Sequence, residues 1–208
     1  MPNITFGRWN PTEVLERRLD NDWPSPTPYA TNLVTPTSIS STGTGNSSSI
    51  GANGSVTFSS CATLSLNGVF TSDYDNYMIV MRSQLATTSV AFNFRLRSSG
   101  TDASGSNYTL QYLAADASTV YGARITSSTA GRIGNATATQ RSGYSVYVYG
   151  PYLAQPTATR STDAVGQSDA LIVDYACTHS LSTQYDGISF YPDSSSITGL
   201  ISVYGLGV

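Results

Sequence analysis

Side chains able to carry acid–base or metal chemistry are few and scattered in this sequence. The only histidine, His179, stands between Thr178 and Ser180, with no motif that would pair it with a nucleophile or a metal ion. Nucleophilic catalysis needs a base that is itself oriented by a third group, and no serine-hydrolase, zinc-protease or nucleotide-binding signature is present. We therefore predict that the chain is not an enzyme, with no catalytic residues, no cofactor and no metal site.

The aspartates deserve a separate test, because a glycan hydrolase needs two carboxyl groups at a set separation. They qualify by residue type alone: Asp73, Asp75, Asp102, Asp116, Asp163, Asp169, Asp174, Asp186 and Asp193. The run 73–76 clusters oxygens as a calcium loop does, but a turn that starts a strand is the favoured interpretation. A glycan-degrading enzyme remains a remote alternative.

Four tyrosines are more suggestive of binding: Tyr144, Tyr147, Tyr149 and Tyr152 lie close together in sequence. In a strand, alternate residues share a face, so Tyr147 and Tyr149 are predicted to lie side by side. Flat rings with one hydroxyl suit stacking on sugars, and they suit subunit interfaces equally. Packing between subunits or in the core is the favoured interpretation, with glycan contact as the alternative.

Composition limits the classes of partner. Charged residues make up 11% of the chain and the net charge is −3, which gives no electrostatic footprint for nucleic acid. No apolar run is long enough to span a membrane, and the first residues lack the pattern of a secretory signal. Cys61 and Cys177 are predicted to be buried free thiols rather than a disulfide.

The N-terminal region carries a helix signal over residues 11–20. Asn10 is an N-cap, Pro11 occupies the first helical position and Glu13 stands where its side chain reaches back to the cap. A helix this short is not stable alone in water, so its apolar stripe needs a covering partner. We predict that residues 1–36 form a docking arm, with these contacts: Trp9, Val14, Leu15, Leu19 and Trp23.

The arm continues through alternating prolines at 24, 26 and 28, which enforce an extended path. Residues 37–54 are rich in Gly and Ser and are predicted to be a linker or a long loop. Residues 55–208 then alternate with period two, and 77–81 is apolar throughout, which indicates a central strand covered on both faces.

About ten strands separated by turn clusters indicate a sandwich or jelly roll. They are expected at 56–58, 63–66, 77–81, 90–97, 108–113, 120–125, 144–149, 171–177, 187–191 and 197–204. The predicted fold is all-β: an antiparallel jelly-roll-like β-sandwich with a short N-terminal helix and an extended arm.

Several motifs in residues 55–208 resemble bacteriophage virion structural proteins of the minor tail, fibre and head-decoration type. They are Phe-Thr-Ser-Asp-Tyr-Asp-Asn-Tyr-Met-Ile-Val at 70–80, Arg-Leu-Arg-Ser-Ser-Gly-Thr at 95–101, Asn-Tyr at 107–108, Phe-Tyr-Pro-Asp-Ser at 190–194, Ile-Thr-Gly at 197–199 and Val-Tyr-Gly at 203–205. Their order and spacing agree with the same pattern. The resemblance implies a jelly-roll-like domain on the virion, often trimeric, and it does not extend to residues 1–36.

The expected function is that of a tail or fibre component. The arm attaches it to other virion proteins of the tail or capsid, and the sandwich is exposed for attachment to host-surface glycan. The alternative is a decoration or cement protein on the phage head. We expect a homotrimer, assembled in the host cytoplasm and located in the virion.

Overall fold

The computed structural model describes residues 31–87, 90–116, 118–138, 141–164 and 172–207, which form strands and turns. The strands are β1 (Thr31–Val34), β2 (Ser38–Thr42), β3 (Ser47–Ile50), β4 (Val56–Cys61), β5 (Thr63–Asn67), β6 (Asn76–Leu85), β7 (Val90–Ser98), β8 (Thr101–Asp102), β9 (Tyr108–Ala115), β10 (Val120–Ser128), β11 (Gly131–Ala136), β12 (Ser142–Tyr149), β13 (Thr157–Ala164), β14 (Ile172–His179), β15 (Gly187–Pro192) and β16 (Ile197–Leu206).

The strands form two antiparallel sheets packed as a sandwich. Sheet 1 has ten strands in the order β10-β9-β14-β13-β12-β6-β16-β4-β3, with β1 also paired to β16. Sheet 2 has six strands in the order β11-β7-β15-β5-β2, with β8 also paired to β7. The predicted all-β antiparallel sandwich is therefore confirmed. The helix predicted at 11–20 and the docking residues Trp9, Val14, Leu15, Leu19 and Trp23 lie outside the described residues.

The larger of two hydrophobic clusters in the described residues fills the space between the sheets, because alternate residues of each strand point inward. Sheet 1 contributes Ile79, Met81 and Val146, and sheet 2 contributes Phe92 and Phe190, all of them buried. Aromatic rings meet edge-on or tilted across this layer, as in the contact of Phe92 with Tyr144 at 5.3 Å between centroids. Such pairs add to the free energy gained by burial alone.

The prediction of a linker or loop at 37–54 is wrong, because β2 and β3 lie within it and pair with β5 and β4. Ile39 packs on the core, and Ser41 hydrogen-bonds Asn46 and Ser48. The connection turns at Gly43, whose φ of 127° favours glycine and whose missing Cβ would stand 2.6 Å from the Ser60 carbonyl oxygen. The predicted arm also ends too late, since β1 already pairs with β16.

Strand β6 is central in sheet 1, between β12 and β16, but the prediction that both of its faces are covered is wrong. Tyr77, Ile79 and Met81 point into the core, whereas Val80 points outward and is 40% exposed. The apolar run at 77–81 therefore follows the period-two alternation of an antiparallel sheet that has one open face.

Strands β11 and β13 were not predicted. The inward residues of β13 are Thr157, Thr159, Ser161 and Asp163, all of them buried, so this strand has no hydrophobic alternation to detect. Soon after β10 ends at Ser128, strand β11 begins at Gly131. There the absent Cβ would stand 2.2 Å from the Phe94 ring, so only glycine lets β11 lie this close to the core.

Candidate functional site

The outward face of sheet 1 is an open surface built by the alternate residues of its strands. On β12, Tyr147 and Tyr149 point outward, while Val146 and Val148 point into the core. The same alternation on β13, β14, β9 and β10 brings a row of outward residues next to Tyr147. Cross-strand register sets the order of this row as Tyr147, Arg160, Ala176, Gln111 and Arg124.

Tyr147 and Tyr149 form an exposed aromatic pair, which confirms the prediction that they share a face. Their rings stand nearly parallel, with centroids 6.4 Å apart and planes inclined by 11°. Tyr147 is 39% exposed and Tyr149 is 42% exposed, so ring surface and hydroxyl are both accessible to a ligand. Such rings present an apolar surface with a polar tip.

The predicted set of four tyrosines does not act as one site. Tyr144 points inward, is 2% exposed and donates a 2.7 Å hydrogen bond from its hydroxyl to the Asn135 carbonyl oxygen. Burial raises the pKa of Tyr144 to about 12. Tyr152 is partly buried and packs against the core. The surface role predicted for Tyr144 is therefore wrong, and that of Tyr152 is limited to its remaining exposed area.

An ion pair lies beside the aromatic pair. Arg160 donates to both carboxylate oxygens of Asp174, from Nε to Oδ1 at 3.1 Å and from Nη2 to Oδ2 at 2.5 Å. Both side chains are accessible, and Asp174 raises the pKa of the Arg160 guanidinium. A bidentate pair fixes the orientation of an arginine more firmly than a single hydrogen bond does. Arg160 was not among the predicted site residues, because it lies on β13, a strand without hydrophobic alternation.

Two shallow grooves run across this face. One, of about 570 Å³, is lined by residues of β12, β13, β6 and β16, among them Val80, Arg82, Ser145 and Leu200. The second, of about 680 Å³, is lined by residues of β10, β9, β14 and β13, among them Gln111, Gly122, Arg124, Arg160 and Asp174. Small outward side chains such as Ala176 and the glycine at 122 leave room for these grooves between larger neighbours.

The interior holds titratable groups that make structural contacts. His179 is 1% exposed, its Nδ1 is 3.1 Å from the Tyr185 hydroxyl, and burial lowers its pKa. Asp163 accepts a hydrogen bond from the Asn135 N–H, and burial raises its pKa to about 6. Within the described ranges, no three His, Cys, Asp or Glu side chains are grouped closely enough to hold a metal ion.

The turn at 73–76 leads into β6. Thr71 Oγ1 lies 3.2 Å from Asp73 Oδ2 and accepts the Asp73 N–H at 3.3 Å. These local hydrogen bonds are those of a turn that starts a strand.

In the described part of the chain, no helix is long and apolar enough to cross a membrane.

Comparisons with known proteins add little to this geometry. No protein-family model matches the chain, and no curated protein matches it. A solved structure described as "CBM4 structure and function" aligns with 74% of this chain and 78% of its own length, at 13% sequence identity and a TM-score of 0.18. That similarity is too low to support any statement about the fold or the ligand of this chain.

Proposed function

We propose that the chain is a non-enzymatic structural protein of a bacteriophage particle, a tail or fibre component that binds host-surface glycan through the outward face of sheet 1. The observation that carries the glycan contact is the exposed, nearly parallel pair Tyr147 and Tyr149, which lies beside the bidentate pair of Arg160 and Asp174. Aromatic surface for stacking next to fixed hydrogen-bonding groups is the combination that polar ring-shaped ligands require.

The virion assignment rests on the sequence motifs of residues 55–208 and on the docking arm. In this proposal the arm inserts into other virion proteins through Trp9, Val14, Leu15, Leu19 and Trp23, and three copies associate as a homotrimer. Charged residues make up only 11% of the chain, so contact between neighbouring copies would bury few charges. The particle is assembled in the host cytoplasm.

A second candidate is a decoration or cement protein on the phage head. One observation favours it: Leu113, Val120 and Ile172 are 59%, 69% and 73% exposed at the β10 end of sheet 1. β9 pairs with both β10 and β14, so these side chains form one apolar patch beside the edge of β10, which pairs with no other strand of the described residues. Patches and edges of this kind mark contacts between protein subunits.

Envelope binding separates the two candidates. Full-length protein is incubated with purified host-cell envelopes, and the bound fraction is measured for the wild type and for Tyr147→Ala. Tyr121→Ala is the matched control, because Tyr121 is 42% exposed but points to the other side of sheet 1. The attachment proposal expects binding that Tyr147→Ala abolishes and Tyr121→Ala retains. Absence of envelope binding, together with labelled protein imaged on the head of the particle, would favour the cement protein instead.

A further inference from the structure

We infer that the ligand of the outward face of sheet 1 is an acidic polysaccharide, bound along the row Tyr147, Arg160, Ala176, Gln111 and Arg124. This inference rests on the proposed attachment function and adds the charge of the ligand and the path it takes.

The charges on this face oppose the charge of the whole chain. Arg82, Arg124 and Arg160 are the outward cations on the paired strands of sheet 1, and Asp174 is the outward anion among the residues described there. Three positive charges against one negative charge leave the face at +2, whereas the chain carries −3. A local excess of positive charge on an acidic protein attracts and orients anionic ligands.

Arg160 is held ready for a second anion. Its Nε and Nη2 donate to Asp174, so the guanidinium plane is fixed. A guanidinium has five N–H donors, and its Nη1 group hydrogen-bonds no acceptor in the described residues. Since an arginine fork fits carboxylate and phosphate groups, the Nη1 group of Arg160 can donate hydrogen bonds to the carboxylate of an acidic sugar while the ion pair with Asp174 stays in place.

Arg124 supplies the other end of the row. It is exposed on β10, and among the described residues its side chain makes neither an ion pair nor a hydrogen bond. It lies three strands from Arg160, about 14 Å at the usual strand spacing. Gln111 stands between them in register, and its amide can both donate to and accept from sugar hydroxyls.

The groove keeps this path open. Ala176 puts little side chain between the arginines, and Gly122 leaves the groove open beside Arg124, where a Cβ would stand 2.6 Å from the Tyr112 carbonyl oxygen. The groove volume of about 680 Å³ lies within the range typical of small-molecule sites. Tyr147 ends the row with a ring face for stacking, so the ligand's contacts with the arginines and its stacking contact lie along one line.

The test compares two polymers that differ in charge. Full-length protein is titrated with polygalacturonate and with the same polymer fully methyl-esterified, and the dissociation constants are compared. We expect binding of polygalacturonate that is at least tenfold tighter and that weakens with added salt. Arg124→Ala should weaken it about tenfold, as loss of a charge-assisted contact does.

Arg82→Ala is the matched control, since Arg82 is an exposed cation on the same face but lies five strands from Arg124, about 24 Å. It should weaken binding far less than Arg124→Ala does, because Arg82 contributes only to the overall charge of the face and makes no contact in the row. Equal binding of both polymers, no binding of polygalacturonate, or equal losses in Arg82→Ala and Arg124→Ala would overturn the inference. Envelope binding that Tyr147→Ala abolishes but Arg124→Ala leaves intact would also overturn it while the attachment function stands. Failure of envelope binding is instead a failure of the attachment function.

Discussion

The carboxylate of Asp163, on β13 of sheet 1, accepts a 2.8 Å hydrogen bond at Oδ2 from the backbone N–H of Asn135, on β11 of sheet 2. The contact joins the two sheets next to a register shift in β11 between Arg132 and Gly134. The other carboxylate oxygen, Oδ1, is buried without a hydrogen-bond partner. Oδ2 thus stabilises the irregular strand β11, whereas Oδ1 loses its hydrogen bonds to water on folding and gains none in return.

Asp163 should make the protein less stable as pH rises from about 4 to about 6. The folded pKa is raised from 3.8 to about 6, so in this interval the folded state binds more protons than the unfolded state. The free energy of unfolding should fall by about 1–3 kcal/mol across it. His179 acts in the opposite direction, because its lowered pKa makes stability fall as pH drops below 6.5.

The measurement is urea unfolding of the wild type and of Asp163→Asn at several pH values, because their difference isolates Asp163. Asparagine keeps an acceptor for the Asn135 N–H, so the variant should lose the decline between pH 4 and 6 and be the more stable protein at pH 7. Parallel stability curves for the two proteins would contradict this prediction.

Arg97 should be far more important to stability than Arg160, although each pairs with an aspartate. Arg97 has a side chain 10% exposed and pairs with Asp102, and it also donates to the Ser189 hydroxyl at 2.7 Å and to Asn67 Oδ1 at 3.0 Å. Arg97→Met should cost about 2–4 kcal/mol, because it leaves buried acceptors unpaired.

The matched control is Arg160→Met, whose ion pair is exposed and should leave the unfolding midpoint unchanged. Denaturant unfolding of both variants decides the comparison. Equal effects on the midpoint would show that the hydrogen bonds around Arg97 add nothing beyond an exposed pair.

Gly134 should not tolerate a side chain. A Cβ there would stand 2.6 Å from Asp163 Oδ2 and 2.8 Å from the Tyr144 ring, so Gly134→Ala should destabilise the fold by about 1–3 kcal/mol. Gly143→Ala is the control, since no atom lies within 4 Å of its added Cβ. Removing a strand glycine there should be neutral or slightly stabilising. Thermal unfolding of the two variants tests both expectations, and equal midpoints would refute the close approach at Gly134.

Cys61 and Cys177 should be inert to thiol reagents in the folded protein. Both are free and buried, as predicted from their apolar neighbours. Burial raises the pKa of both thiols, that of Cys177 to about 12, so the reactive thiolate is scarce at neutral pH. A colorimetric thiol assay should detect no reaction before unfolding and two thiols after it. Rapid labelling of either cysteine in native protein, at the rate of a small thiol, would disprove this.

Strands with apolar inward residues were predictable, and strands with polar inward residues were not. Strand β6 was located because residues 77–81 are apolar throughout, and the apolar Val80 between Ile79 and Met81 suggested burial on both faces. In β13 the inward residues include Thr157 and Asp163, and no hydrophobic period marks the strand. Strand β2 was hidden by its serines, although Ile39 carries its inward contact.

The candidate site was predictable only where it depends on one strand. Tyr147 and Tyr149 are two residues apart, so period-two geometry was enough to place them together. Arg124 and Arg160 share a row with them only through the order β10-β9-β14-β13-β12, in which β14 lies between β9 and β13. Sequence separation contains no such information, because it depends on which strands pair in the finished sheet.

The position of β16 has a consequence for how the protein is made. This strand lies inside sheet 1, paired with β6 on one side and with β4 and β1 on the other, yet it follows every other described strand along the chain. During translation the halves of sheet 1 therefore have no bridge until Leu206 has left the ribosome. Until then β6 and β4 each have one unpaired edge in the nascent chain. Unpaired strand edges promote aggregation or chaperone binding. The sandwich therefore cannot complete its folding before its last strand is made, and a chain that lacks residues 197–206 would have two unjoined parts of sheet 1.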